Sequence, residues 1–413
     1  MRGPRADTTS RTLARGFAAT GLALRRRKRH NVPMANAKEA STRRSVMKNL
    51  ATGVGAAVVT APKTAMPTLP SPAGTSPDGP DLLVTQFGAR GDGATDDTVA
   101  FERAIAAAMQ AGRRLRIPAG RYRITRTLTI TRGIRVEGDG IERSVLLGAV
   151  IGGGPVLQFH AQATDSIMGP MLSGLWLDCA HGTGPCDGIR LSTGGQGAAL
   201  HQAVVRDLFI TNVAVGLALS GVVYRSMFDN ITIAGIVAQY GVYCDKGFED
   251  VTYNSFSNIE VTNVADGAHA FWIHSNHSNF SNLTSDGCSY FSSPGGTIRN
   301  LAVEGISARH PASATLLRFN QVQAAQGINL INIDPRRCAC GIQVVGQAVV
   351  LQAIRCFGQQ PLRLLELDPQ SEGVIAGIQT ERPAAMLEDY IPSETLRRWV
   401  VQAARSVTRR TSC

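Results

Sequence analysis

The sequence predicts an all-β solenoid closed at its N-terminal end by one α-helix. Three observations carry this reading: a turn–helix–strand entry over Val84–Tyr122, short apolar strands that recur beyond Gly152, and an Asn that returns at the same place in successive repeats. The strands recur every 18 to 30 residues or so, roughly one solenoid coil per repeat. A body of roughly 330 residues is long for one compact core and natural for a fold that grows by repetition.

In the entry, VTQFGARGDGATDDT, Gly91 and Gly93 give the backbone freedom for a tight turn. Thr95, Asp96 and Asp97 then offer side-chain oxygens to the unpaired N–H groups of a helix start. Val99, Ala100, Ile105, Ala106 and Met109 recur on one helical face, so a helix is expected from about Asp96 to Gln110. Gly112 ends it, and Pro118-Ala-Gly120 leads into alternating strand sequence. Asp92, Asp96 and Asp97 are therefore expected to serve the loop and the cap rather than a metal or a reaction.

This segment, FGARGDGATDDT followed by IPAGRYRI, resembles the entry of pectate-lyase-superfamily β-helix proteins. The resemblance implies a single-stranded right-handed parallel β-helix over residues 79–413, with its cap at 84–122. That family includes polygalacturonases, rhamnogalacturonan-cleaving enzymes, glucanases, polysaccharide lyases and viral tailspikes. It implies a long glycan groove on one face rather than one reaction. The N-T-D, D-D and G-H-G set of polygalacturonases is missing from the body, and the carboxylates-plus-base set of calcium-dependent lyases does not line up. Site residues must therefore come from geometry. No cofactor is expected, with calcium entering as an option only for a lyase.

The formal charge of +11 would point to an anionic partner if it were spread over the fold. It is not: residues 1–78 hold 14 of the 42 Lys+Arg and 3 of the 31 Asp+Glu, which leaves 28 of each sign in 79–413. A neutral body lacks the basic patch that nucleic-acid binding needs, so no nucleic-acid partner is expected. The leader resembles a twin-arginine export signal, with Arg43-Arg44, Met47 and Lys48 ahead of a short apolar run, Leu50–Ala61. That run falls short of the ~20 residues a membrane span needs. Met34 offers a second start, which makes 1–33 an over-extended gene start, and a Pro/Ser/Thr/Gly-rich link runs on to residue 78. The expected location is periplasmic or secreted through the twin-arginine pathway. There a Cys179–Cys186 disulfide is expected, whereas Cys338-Ala-Cys340 lacks zinc-site spacing.

Two lines of repeats place side chains. The first carries Asp207, Asn230, Asn258, Asn282, Asn300 and Asn329, whose amides can bond from coil to coil. Four residues further on, Asp286 and Glu304 occupy equivalent places in adjacent coils, a candidate carboxylate pair for glycoside hydrolysis. The second line alternates. If Leu217 and Leu219 face the core, Tyr243 and Asp245, Trp272 and His274, and Phe291 and Ser293 face outward in successive coils. Such a patch suits a sugar ring, with its apolar face and polar rim.

The candidate catalytic residues are therefore Asp245, Asp286, Glu304, His274 and Lys246, the last being the one lysine beyond the leader. The candidate substrate-binding residues are Tyr243, Trp272, Phe291 and Arg225, with Glu249 and Asp250 in neighbouring connections. His269, His274 and His277 form only a weak metal pattern, since 274 and 277 point to opposite faces of a strand. An exported polysaccharide-cleaving enzyme is expected, a hydrolase ahead of a β-eliminating lyase. A non-catalytic glycan-binding module or a structural module, either able to form a homotrimer, is the alternative. A second helix is expected near Glu394–Ala404, where Leu396, Trp399, Val400 and Ala403 share a face.

Overall fold

The computed structural model describes residues 80–245, 251–304, 314–331, 338–346, 349–357, 363–380, 399–402 and 405–406. The leader with Arg43 and Arg44, Lys246, Glu249 and Asp250 lie outside the described residues.

The entry carboxylates hold backbone, as expected. Asp92 accepts from the N–H groups of Ala94 and Thr95, and these bonds hold its pKa down at about 2. Asp97 accepts from the N–H groups of Arg90 (2.7 Å) and Gly91 (3.1 Å), closing the GDG loop. Asp96 accepts from Thr98 N–H at the helix start. Helix α1 spans Thr98–Ala111 and ends at Gly112 in the left-handed region. Its buried face is Thr98, Ala100, Phe101, Ala104, Ile105 and Ala108. Val99 and Ala106, expected on that face, are exposed, because Phe101 packing edge-on against Tyr122 (5.2 Å) sets the helix rotation.

The coils that follow bend repeatedly, and many of the bends rest on a residue in the left-handed region. In the coil that starts at Val204 these are Asp207 (φ 54°), Asn212 (φ 57°) and Arg225 (φ 53°). The first bend divides what we call the ladder sheet, which includes 204–211, Ser255–Val261, Asn279–Ser285 and Thr297–Glu304. After the second bend comes the groove sheet: Pro155–Ala161, Asp187–Thr193, 213–220, 237–244, His269–His274, Cys288–Ser292, Ala314–Asn320, Cys338–Val345 and Arg363–Leu367. Neighbouring strands within each pair in parallel, coil upon coil. A short third sheet, Ser166–Met168, Ala199–His201 and Val223–Tyr224, leads to the third bend.

The Asn column is a ladder. Asn230 Nδ2 donates to Asp207 (2.7 Å), Asn258 to Asp229 (2.8 Å), Asn282 to Asn258 (3.1 Å) and Asn300 to Asn282 (3.1 Å). Asn tolerates positive φ and its amide both donates and accepts, so one residue type serves the bend and the stack. Asn329 does not belong to the ladder. The strand register pairs Ala302 with Asn329, which puts Gly327 (φ 68°) at the bend, and Asn329 instead donates to the Gly327 carbonyl.

The inward faces meet in two aromatic stacks. Phe228, Phe256 and Phe280 stack at 4.8 and 4.9 Å from the ladder sheet. Phe271, Phe291 and Phe319 follow at 5.8 and 6.1 Å from the groove sheet. Cys179 and Cys186, expected to form a disulfide, are both buried free thiols, with the Cys186 Sγ–H donating to the Cys179 carbonyl. The hydrogen bond with the Cys186 sulfur first, then burial, push the Cys179 pKa up. Near the C-terminus, Trp399–Gln402 is a strand paired parallel with Gly373–Ala376 rather than part of a helix. Trp-Val-Val suits a strand, and the open end of the solenoid offers it a ladder of backbone partners. Residues 394–398 lie outside the described residues.

Candidate functional site

The outer face of the groove sheet carries two parallel columns, because side chains alternate along each strand and equivalent positions pair from coil to coil. One runs Gln158, Arg190, Ala218, Tyr243, Trp272, Tyr290, Arg318, Gln343, Glu366. The other runs His160 and Ser192, then Ser220, and, beyond the pairing of Cys244 with Ile273, Asp245, His274, Ser292, Asn320 and Val345.

The structure therefore brings together Tyr243, Asp245, Trp272 and His274, all half-buried on one face. Trp272 stacks on Tyr290 at 4.8 Å with 30° between the rings, lies 5.9 Å from His274, and meets His269 edge-on at 4.8 Å. Tyr240, which the sequence reading passed over, lies 4.7 Å from the Tyr243 ring and 6.1 Å from Trp272. Burial first, then the Asp245 carboxylate that accepts the Tyr243 hydroxyl, raise the Tyr243 pKa. The Arg318 guanidinium sits 5.7 Å from the Tyr290 ring centre on the next coil. The stack turns aromatic faces toward one another, so the sheet presents ring edges, imidazoles, hydroxyls and a guanidinium outward. A cleft of about 260 Å³ opens along it, lined among others by His269, Trp272, Tyr290, Arg318 and Gln343.

Phe291 is a correction. It is fully buried, and Tyr290 takes the outward place. The cause is a register shift between His269 and Phe271, which pairs Trp272 with Tyr290 and Ile273 with Phe291. A one-residue slip exchanges the two faces of a strand, and hydrophobic burial decides for the Phe. Arg225 is exposed, but it stands at the third bend, away from the patch columns.

Asp286 and Glu304 follow the paired Ser285 and Val303, so they are equivalent residues of adjacent coils, on the ladder sheet rather than the groove sheet. Asp286 accepts from the N–H groups of Asn263 (2.7 Å) and Val264 (3.3 Å), which holds the second bend of the preceding coil. Asp178 shares that column through its pairing with Thr211, and it accepts from Asn212 and contacts His181 at 2.8 Å. Burial opposes ionisation of Asp178, but its hydrogen bonds prevail and its pKa is lowered. His277 stands at the third bend, apart from His269 and His274 on the groove sheet. Among the described residues no three His, Cys, Asp or Glu come together as metal ligands.

A family model described as rhamnogalacturonase A/epimerase, pectate lyase-like, matches residues 83–166, which span the cap and the first coils. A comparison with curated proteins gives no match. Among solved structures, the catalytic unit of the thermostable GH87 alpha-1,3-glucanase from Streptomyces thermodiastaticus strain HF3-3 superposes with a TM-score of 0.55 at 17% identity, over 82% of this chain and 69% of that one. The gp42 tailspike of Acinetobacter phage vb_AbaP_AS12 gives 0.53 at 10% identity, over 79% and 62%. The chain spans 61% of the length of Geobacillus virus E2 ORF18, which it matches at 16% identity with a TM-score of 0.45. At such identities the likeness to solved structures is one of fold. The coil architecture and these superpositions show the fold, a right-handed parallel β-helix, and over residues 83–166 the chain is similar to pectate lyase-like domains.

Proposed function

We propose that the protein acts on a polysaccharide laid along the outer face of the groove sheet and cleaves it. The observation that carries this is the register that brings Tyr243, Trp272 and Tyr290 into one column beside Asp245 and His274. Apolar ring surface beside donors and acceptors is the pairing that a sugar offers in return. Asp245 is the general acid or base. In hydrolysis the glycosidic C–O bond breaks, the leaving oxygen takes a proton, and water delivers hydroxide to the anomeric carbon while a base takes its proton. His274, one strand on, is the second proton-transfer group. The glucanase and tailspike likenesses are compatible with a glycan role and leave the reaction open. The proposal includes export through the twin-arginine pathway.

A second reading, glycan binding without cleavage, draws on one observation. Among the described residues, the next carboxylate in the Asp245 column is Asp368, which follows the paired Val344 and Leu367 five strands on. At about 4.8 Å per strand that is roughly 24 Å, beyond the 5 to 9.5 Å or so of a glycosidase pair. A panel of acidic and neutral polysaccharides, read by reducing ends and by the absorbance of unsaturated uronate, separates the readings. Reducing ends alone mean hydrolysis, both signals mean elimination, and binding without either supports the module. No binding to any polysaccharide rejects both readings.

A further inference from the structure

We infer that the groove continues past Asn320 into a second subsite that takes an uncharged sugar unit of the same polysaccharide. The inference rests on the reading of the groove sheet as the glycan-bearing face. A cavity of about 660 Å³ opens where the later coils of that sheet reach the third bend, within the range of small-ligand sites.

The third bend supplies part of its lining. In earlier coils the third bend carries Gln202, Arg225, Tyr253 and His277, all at positive φ and all bulky. In the following coils it carries Gly295 (φ 70°), Gln321 (φ 54°) and Gly346 (φ 94°). A Cβ on Gly295 would lie 2.6 Å from the His277 ring, and one on Gly346 would lie 2.8 Å from Gln321 Cγ. The His277 and Gln321 side chains thus already occupy the places those Cβ atoms would take, which requires glycine at both bends, and both glycines line the cavity.

The walls have one chemical character. Asn320, Gln321, Gln323 and Gln370 line the cavity with four carboxamides. Each carboxamide donates and accepts, as a sugar hydroxyl does, so the two can pair reciprocally. Among the described residues of the lining, Asp368 is the one charged group and no Lys or Arg is present. A uronate there would face a carboxylate without a cation beside it, a repulsive arrangement. The cleft at Trp272 differs, because Arg318 lines it.

Asn320 joins the two. It stands in the Asp245–His274 column, and its Nδ2 donates to the Tyr290 hydroxyl (3.1 Å) and to Ser292 Oγ (3.4 Å). A chain lying over Trp272 and Tyr290 therefore reaches the cavity without leaving the sheet.

The test uses the full chain and length-graded oligomers of whichever polysaccharide the panel shows to bind, measured by calorimetry. Gln323→Ala and Gln370→Ala are each expected to weaken binding of the longest oligomers by about 3- to 10-fold, as for loss of one hydrogen bond. Short oligomers held at Trp272 should bind as before. Gln323→Trp, which fills the cavity from an exposed position, should abolish the gain in affinity with length, while an unchanged melting curve shows that the fold is retained. Unchanged length dependence in all three variants overturns the subsite and leaves the groove reading standing. A requirement for a uronate at the far end of the oligomer also overturns it. If no oligomer binds the wild type, the groove reading falls and this inference falls with it.

Discussion

Trp272 and Tyr290 stack one coil apart at 4.8 Å, and that distance is the strand spacing itself. The stack is thus a product of parallel register, and it costs the site some ring face. Trp272→Ala is expected to lower glycan affinity by about 1 to 3 kcal/mol, by analogy with stacking of bases on aromatic rings. The melting transition should move little, since the core stacks of Phe side chains lie on the opposite face of the strands. Affinity unchanged by the substitution, measured by calorimetry, would remove the platform from the proposal.

Asn258 shows a purely structural use of a polar side chain. It sits at φ 54°, donates to Asp229 and accepts from Asn282. Asn258→Leu is expected to destabilise by about 1 to 3 kcal/mol, through unsatisfied partners and a strained bend, with no specific effect on activity. Asn258→Gly should lose less, because glycine keeps the conformation and loses only the amide contacts. Urea unfolding checks the order; a glycine variant weaker than the leucine variant contradicts it.

Much of this was legible in the sequence because the underlying constraints are local. The GDG loop, the cap carboxylates and the Asn at positive φ announce themselves by residue type, and alternation of apolar residues placed Tyr243, Trp272, Asp245 and His274 correctly on one face. What failed was register over distance. The irregularity near Ala270 shifts the next coil by one residue, and nothing in the apolar pattern of CSYFSS distinguishes Tyr290 from Phe291 as the inward residue. The third bend was illegible for a different reason: it uses Gln202, Arg225, Tyr253 and His277 where positive φ ordinarily calls for Gly or Asn, so its periodicity is invisible to residue type. Asp286 is ambiguous in the sequence, because a carboxylate that caps a bend looks like one that awaits a substrate.

Acid should unfold the protein through its bend and cap carboxylates. Asp92, Asp96 and Asp178 all have lowered folded-state pKa values: Asp92 through the Thr95 N–H, and the other two through hydrogen bonds that outweigh burial. A lowered folded pKa gives stability that is present above the unfolded value, about 4, and is lost as pH falls toward the folded value. Asp187 works the other way, since burial outweighs the opposing Arg190 guanidinium and raises its pKa, so that its protonation on acidification returns stability. The melting temperature should therefore hold from pH 7 to about 5 and fall below about 4, less steeply in Asp178→Asn. A fall between pH 5 and 7 would instead point to histidines.

The proposed export rests on the leader. Replacing Arg43 and Arg44 together by Lys should leave precursor in the cytoplasm, whereas removing residues 1–33 should not impair export. Fractionation and blotting decide, and normal periplasmic appearance of the Lys-Lys variant rejects the twin-arginine route.

The sharpest test ranks the carboxylates. Asp245 stands in the groove column, one strand from His274 and bonded to the Tyr243 hydroxyl, so its carboxylate faces where substrate would lie. Asp286 is already engaged by the N–H groups of Asn263 and Val264, and Glu304 follows it on the ladder sheet. Asp245→Asn should therefore cut turnover at least about 100-fold with little change in stability, since general acids and bases contribute about 10² to 10⁴. Asp286→Asn should instead lower stability by about 1 to 3 kcal/mol, as two backbone donors lose an ionised acceptor, and leave turnover near wild type in the folded fraction. Glu304→Gln, being exposed, should change neither. The reverse outcome, with turnover lost in Asp286→Asn and Glu304→Gln but kept in Asp245→Asn, would move the chemistry to the ladder sheet and leave the aromatic columns as a binding surface alone.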